Sequence, residues 1–167
     1  MGKNMHIRNT CKECLASSYS LKLSEDLLCP DCVKYHQLSS NNGFDNGASL
    51  SKACSQWEAS SKAYDALRKR EKKNFDFIYN NYCRARELEK NGQLDEALDI
   101  YLRIVEYYPP GTDYYTRPCI ILEKKKEYAL AIEICDLAIK GIQEKRYNAD
   151  ENEFIHRKNR LIKKMSK

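Results

Sequence analysis

From Leu50 onward the apolar residues recur at helical spacing. Leu50, Ala53, Cys54, Trp57, Tyr64 and Leu67 stand three, four or seven residues apart, with Ser and charged residues between them, which places one apolar stripe along one side of a helix. The stripe fades between Arg70 and Asn74, short of the roughly three to four heptads that a coiled coil needs. The spacing therefore predicts an amphipathic helix over 50–74 that packs against the helices after it. Beyond it the chain repeats itself. Residues 85–104 align with 119–138 at a constant offset of 34, pairing Leu88 with Leu122, Leu94 with Tyr128, Ala97 with Ala131 and Tyr101 with Cys135. A last helical pattern, near Glu151 to Lys164, sets Phe154, Ile155, Leu161 and Ile162 inward and gathers Arg157, Lys158, Arg160, Lys163 and Lys164 toward the end where cations suit the helix dipole.

The 34-residue period, with small residues at Ala85, Cys119, Ala97 and Ala131, a stop at Asn91-Gly92 and a break at Pro109-Pro110-Gly111, resembles the tetratricopeptide repeat, a helix-turn-helix unit. The resemblance spans about residues 75–145. It departs from the family at Arg84 and Pro118, where a large apolar residue is usual, and Pro118 predicts a helix that starts near Thr116 or bends there. Two such hairpins bury too little surface alone, so the 50–74 helix and a C-terminal segment, 146–167, are expected to cap them. The resemblance implies an inner groove lined by the first helix of each unit, and carries Tyr79, Tyr82, Arg86, Glu89, Lys90, Arg117 and Lys124 to that surface. A protein or peptide is the partner implied. The Lys and Asn of the chaperone-tail clamp are replaced by Tyr82 and Arg86, so that ligand is not expected.

Ahead of the helices the pattern is of another kind. Cys11-Lys12-Glu13-Cys14 and Cys29-Pro30-Asp31-Cys32 form C-x2-C pairs fourteen residues apart, the spacing of a closed four-thiolate zinc site. Cys11, Cys14, Cys29 and Cys32 are the predicted ligands and Zn²⁺ the predicted structural cofactor. A closed shell leaves no position for water or substrate, so the ion organises structure and does no chemistry. The competing uses of cysteine fit less well. A thioredoxin-type site needs one such pair within a βαβ unit, and disulfides suit a secreted chain, whereas this one opens Met1-Gly2-Lys3-Asn4 without an apolar leader. His36, four residues past Cys32, is expected beside the site, not in it. The run from Leu28 to His36 resembles the second knuckle of a zinc ribbon or of a GATA-like treble clef. The lobe spans 1–38, and Ser39 to Ser49, rich in Ser, Asn and Gly, reads as a flexible linker.

Composition excludes little beyond a membrane span. The 167 residues are 42% hydrophobic and 32% charged, and no stretch approaches the roughly twenty apolar residues needed to cross a bilayer. The formal charge of +5 drops to about +3 once four thiolates surround one Zn²⁺. Residues 75–111 carry −3 and residues 146–167 carry +4. The densest basic cluster, Arg68-Lys69-Arg70-Glu71-Lys72-Lys73, makes nucleic acid the alternative partner. Cys54, Cys83, Cys119 and Cys135 read as small core residues. With no nucleophile motif or phosphate loop, the sequence predicts a mainly helical, non-catalytic protein, monomeric or weakly dimeric. It is expected in the cytoplasm, or in the nucleus of a eukaryote.

Overall fold

A computed structural model describes residues 7–18, 20–40 and 50–166, with the backbone alone for residues 38 and 50–53. Two short strands, β1 (Asn9–Thr10) and β2 (Ser17–Ser18), pair antiparallel with Asn9 opposite Ser18 and Thr10 opposite Ser17. Helices α1 (Pro30–Ser40), α2 (Leu50–Lys90), α3 (Leu94–Val105), α4 (Asp113–Lys124), α5 (Tyr128–Gln143) and α6 (Asn152–Met165) make up most of the rest. The chain divides into two compact units, one from Arg8 to Phe77 and one from Ile78 onward.

The boundary expected between residues 74 and 75 falls inside α2, which runs unbroken for 41 residues. The physical reason is the absence of any Gly or Pro between Leu50 and Lys90. The charged run that dilutes the apolar stripe is made of good helix formers and does not interrupt the backbone. The first two residues of the predicted linker are helical. Ser39 and Ser40 finish α1, and 41–49 lie outside the described residues.

In the first unit the α2 stripe does not form a core of its own. Cys54, Trp57 and Tyr64 are exposed, while Leu67 packs against the cysteine cluster. Cys54 is thus corrected from core to surface. Tyr64 rests near Tyr35 of α1 with ring centroids 5.8 Å apart.

The second unit stacks α3 on α4, α4 on α5 and α5 on α6. Its 34-residue period holds at the level of the backbone. At the end of α2, Gln93 donates its N–H to Leu88 O at 2.9 Å; at the end of α4, Glu127 donates to Leu122 O at 3.0 Å. Gly92 takes φ +81° and Lys126 φ +61° in the equivalent place. Gln93 (φ −80°, ψ 64°) and Glu127 (φ −84°, ψ 60°) then lead into α3 and α5. Ala97 and Ala131 are fully buried where their small side chains let successive helices approach, and Tyr101 and Cys135 are fully buried as well.

Two expectations need correction here. Of the two outcomes expected at Pro118, a start near Thr116 is not found: the helix begins at Asp113, with Tyr115 and Thr116 both donating to Thr112 O. Pro118 sits in the second turn, fully buried, where its missing N–H removes one helical bond and its ring adds apolar packing. In α6, Phe154 and Leu161 are buried, but Ile155 is half-buried and Ile162 is 42% exposed. Residues seven apart share a face; their next neighbours turn away from it.

Candidate metal centre

Each cysteine pair is shaped by its own turn. β1 delivers Cys11 into a tight turn in which Cys11 N–H donates to Ala16 O (2.9 Å) and Leu15 N–H to Cys11 O (3.1 Å). Leu15 takes φ +55°, a left-handed backbone seldom adopted by a leucine. The second pair follows a turn in which Leu28 N–H donates to Ser24 Oγ at 3.2 Å and Leu27 takes φ +62°. Pro30 then opens α1, where a residue lacking an N–H costs nothing, and Val33 N–H closes back on Cys29 O at 3.0 Å. The two turns are tied directly, Lys12 N–H donating to Leu27 O at 3.1 Å.

The four sulfurs converge. Cys11, Cys14, Cys29 and Cys32 are buried, none is in a disulfide, and all four Sγ atoms lie within 4.8 Å of one another. Cys11 and Cys32 are 3.6 Å apart, as are Cys14 and Cys29. An ion about 2.3 Å from four tetrahedral sulfurs would set them roughly 3.8 Å apart, whereas a disulfide requires about 2.05 Å. The spacing fits a metal ion. Cys29 N–H also donates to Cys11 Sγ at 3.3 Å, a bond that favours the thiolate form.

Without a cation the sulfurs share protons unequally. The Cys14 thiol bonds to Cys11, which holds Cys11 down to about 4 and pushes Cys14 up. Burial, reinforced by the Cys11 charge, pushes Cys32 up. A bound cation would remove this conflict by stabilising all four thiolates together.

His36 is not part of the cluster. Its Nε2 lies 2.8 Å from Glu13 Oε1, linking α1 to the first cysteine turn. The lobe also rests on α2. Asn74 Nδ2 donates to Cys14 O at 3.0 Å, Arg70 meets Asp31 at 2.6 Å and Leu67 packs on the cysteine core. Sequence reasoning missed these supports, since pairings across 39 and 60 residues leave no local pattern.

The residues predicted for a partner groove all fall in the second unit. Arg117 is engaged within the fold: its Nε donates to Glu89 Oε2 at 3.1 Å, its Nη2 to Glu89 Oε1, and Tyr101 OH donates to Glu89 Oε2 at 3.0 Å. Tyr82 is half-buried against Tyr114 and Tyr101, at centroid distances of 5.0 and 5.8 Å. Tyr79, Lys90 and Lys124 are exposed and Arg86 is half-exposed. The structure thus joins Tyr82 and Arg117 to one aromatic and ionic cluster and leaves Arg86, Lys90 and Lys124 reachable by solvent. No described helix is long and apolar enough to cross a membrane. Comparison with known proteins returns no matching family model, no similar curated protein and no similar solved structure.

Proposed function

We propose that the chain is a non-catalytic adaptor: a structural zinc lobe attached to a tetratricopeptide-like pair of helical hairpins that binds a protein or peptide along its inner surface. The observation that carries this reading is the 34-residue recurrence of the turn itself, from Leu88–Gln93 to Leu122–Glu127, with matching bonds and a left-handed residue at the same step. Repeats of this kind present side chains of their first helices to a partner, here Tyr79, Tyr82, Arg86 and Lys90 from α2 with Lys124 from α4. Arg117 has a positioning role through Glu89. Zinc is favoured among metals because four thiolates at tetrahedral spacing are its usual structural shell. The second cysteine pair opens a helix, which favours the treble-clef-like variant. Free cysteines suit a reducing compartment.

The alternative, binding of nucleic acid, draws on three exposed lysines of α2, Lys69, Lys72 and Lys73, for which no ion pair is described. The other basic groups are largely occupied. Arg68 meets Glu71, Arg70 meets Asp31, Lys158 meets Asp136, and Arg157, Arg160 and Lys164 all converge on Glu123.

The discriminating experiment isolates partners with the full chain from its native host and repeats the isolation with Arg86→Ala and Lys90→Ala. The adaptor reading expects a protein that survives nuclease treatment and is lost with these variants, while Lys69→Ala and Lys72→Ala retain it. Salt-dependent retention on DNA or RNA that disappears with the Lys69 and Lys72 variants would transfer the function to nucleic acid.

A further inference from the structure

We propose that the metal lobe carries a docking site of its own, a groove that receives an apolar side chain from an acidic peptide. This site is separate from the helical surface and does not depend on it. A groove of about 520 Å³ opens on the lobe where the Ser24 turn meets α1. Its floor is carbon, from Leu23, Leu28, Pro30 and Val33. Its rim carries Lys22 and Lys34, both exposed.

The charges say what should fill it. Of the four carboxylates between Arg8 and Ser40, Glu13 is taken by His36 and Asp31 by Arg70. Glu25 and Asp26 stand exposed on the adjoining turn. Among the described residues neither Lys22 nor Lys34 has an ion pair, so two ammonium groups flank an apolar floor with no acid of the lobe satisfying them. A complementary occupant carries carbon at its centre and carboxylates at its edges. A nucleic acid strand fits poorly, because the lining includes no aromatic ring on which a base could stack and no arginine to fork onto a phosphate.

The groove is linked to the metal centre by its floor. Leu28 belongs to the buried cysteine cluster, and Leu23 and Val33 pack against it. The same side chains that cover the sulfurs on one side line the groove on the other. Metal loading is therefore a condition for docking.

The test uses the full chain, zinc-loaded and ¹⁵N-labelled, with three acetylated and amidated hexapeptides: a Leu-Phe centre flanked by aspartates, the same centre flanked by lysines, and a Ser-Gly centre flanked by aspartates. The first should shift the amides of Leu23, Leu28, Val33 and Lys34 at millimolar peptide; the other two should not. Lys22→Glu with Lys34→Glu should weaken the first by roughly tenfold and let the lysine-flanked peptide bind instead. Because both lysines are exposed, metal content should be unchanged. Chelation should abolish the shifts. Equal binding of the acidic and basic peptides, no response to any of them, or stronger shifts of the same amides by a dT10 or U10 oligonucleotide would overturn the proposal.

Discussion

The two units of this protein solve the same problem with opposite means. The lobe has little to bury: its core is four cysteines and Leu28, with Ala16, Leu21, Leu23, Val33 and Leu67 partly covered around them. The second unit buries Tyr101, Tyr115, Phe154, Ile78, Ile121, Leu122, Ile134 and Leu161 almost completely. About forty residues cannot form a self-sufficient apolar core, so the lobe is expected to draw its stability from a bound ion, whereas the helices draw theirs from packed volume. The two should therefore fail independently and for different reasons.

The sharpest way to break that contrast is at the sulfurs. Cys29→Ser, or a strong chelator, should remove the metal, whose binding in such sites contributes about 10–16 kcal/mol. Amide dispersion from residues 8–40 should collapse while the helical signal of the second unit stays close to wild type. A lobe that keeps its dispersion after its metal is gone would refute the ion-dependent half of the comparison.

The converse change is Phe154→Ala. Phe154 is fully buried beside Tyr115, with ring centroids 6.4 Å apart, so truncation should cost the helical unit about 3–5 kcal/mol. Thermal denaturation should show the loss, and elemental analysis should still find one equivalent of metal.

Acid should act on the lobe through its thiolate ligands. Metal ligation needs thiolates, and even in the converged arrangement, before a cation enters, Cys14 and Cys32 are pushed up and keep their protons at neutral pH. Loading must then displace at least these two protons. Affinity should rise with pH by at least about 100-fold per unit through neutral pH and fall correspondingly in acid. Calorimetry in buffers of different ionisation enthalpy counts the protons; a count of zero would show that the thiols are already ionised.

A smaller effect should come from crowding. Ala131→Leu forces added methylenes into a close helix contact and should cost the second unit about 1–3 kcal/mol. The smallest effect belongs to the surface. Arg86 has no ion pair among the described residues, and Arg86→Ala should alter stability by no more than about 0.5 kcal/mol. A large loss there would mean that the side chain belongs to the core.

Much of this was legible in local pattern. The C-x2-C spacing needs only two short turns to bring four sulfurs together, and the sequence contains both turns. The 34-residue offset was equally legible, because Ala97, Ala131, Leu88 and Leu122 recur with the turn that joins them. What escaped was set by contacts distant in sequence. Nothing around Trp57 says that its helix face stays open, nor around Leu67 that a metal lobe will cover it. Arg117 reads as a groove residue, and nothing near it in sequence announces its bonds to Glu89, 28 positions earlier. The continuity of α2 is written in its lack of Gly and Pro, but the fading apolar stripe mimics an end.

Gln93 and Glu127 enter their helices with nearly the same backbone angles, and Lys90 and Lys124 leave theirs 34 residues apart. The two joints are interchangeable parts. A duplicate of residues 91–124 spliced in after Lys124 would begin with the turn that Lys124 already enters and end at the Lys124 that the next turn already leaves. The chain can thus be lengthened by a whole hairpin without inventing a joint, each added copy extending the stack by two helices.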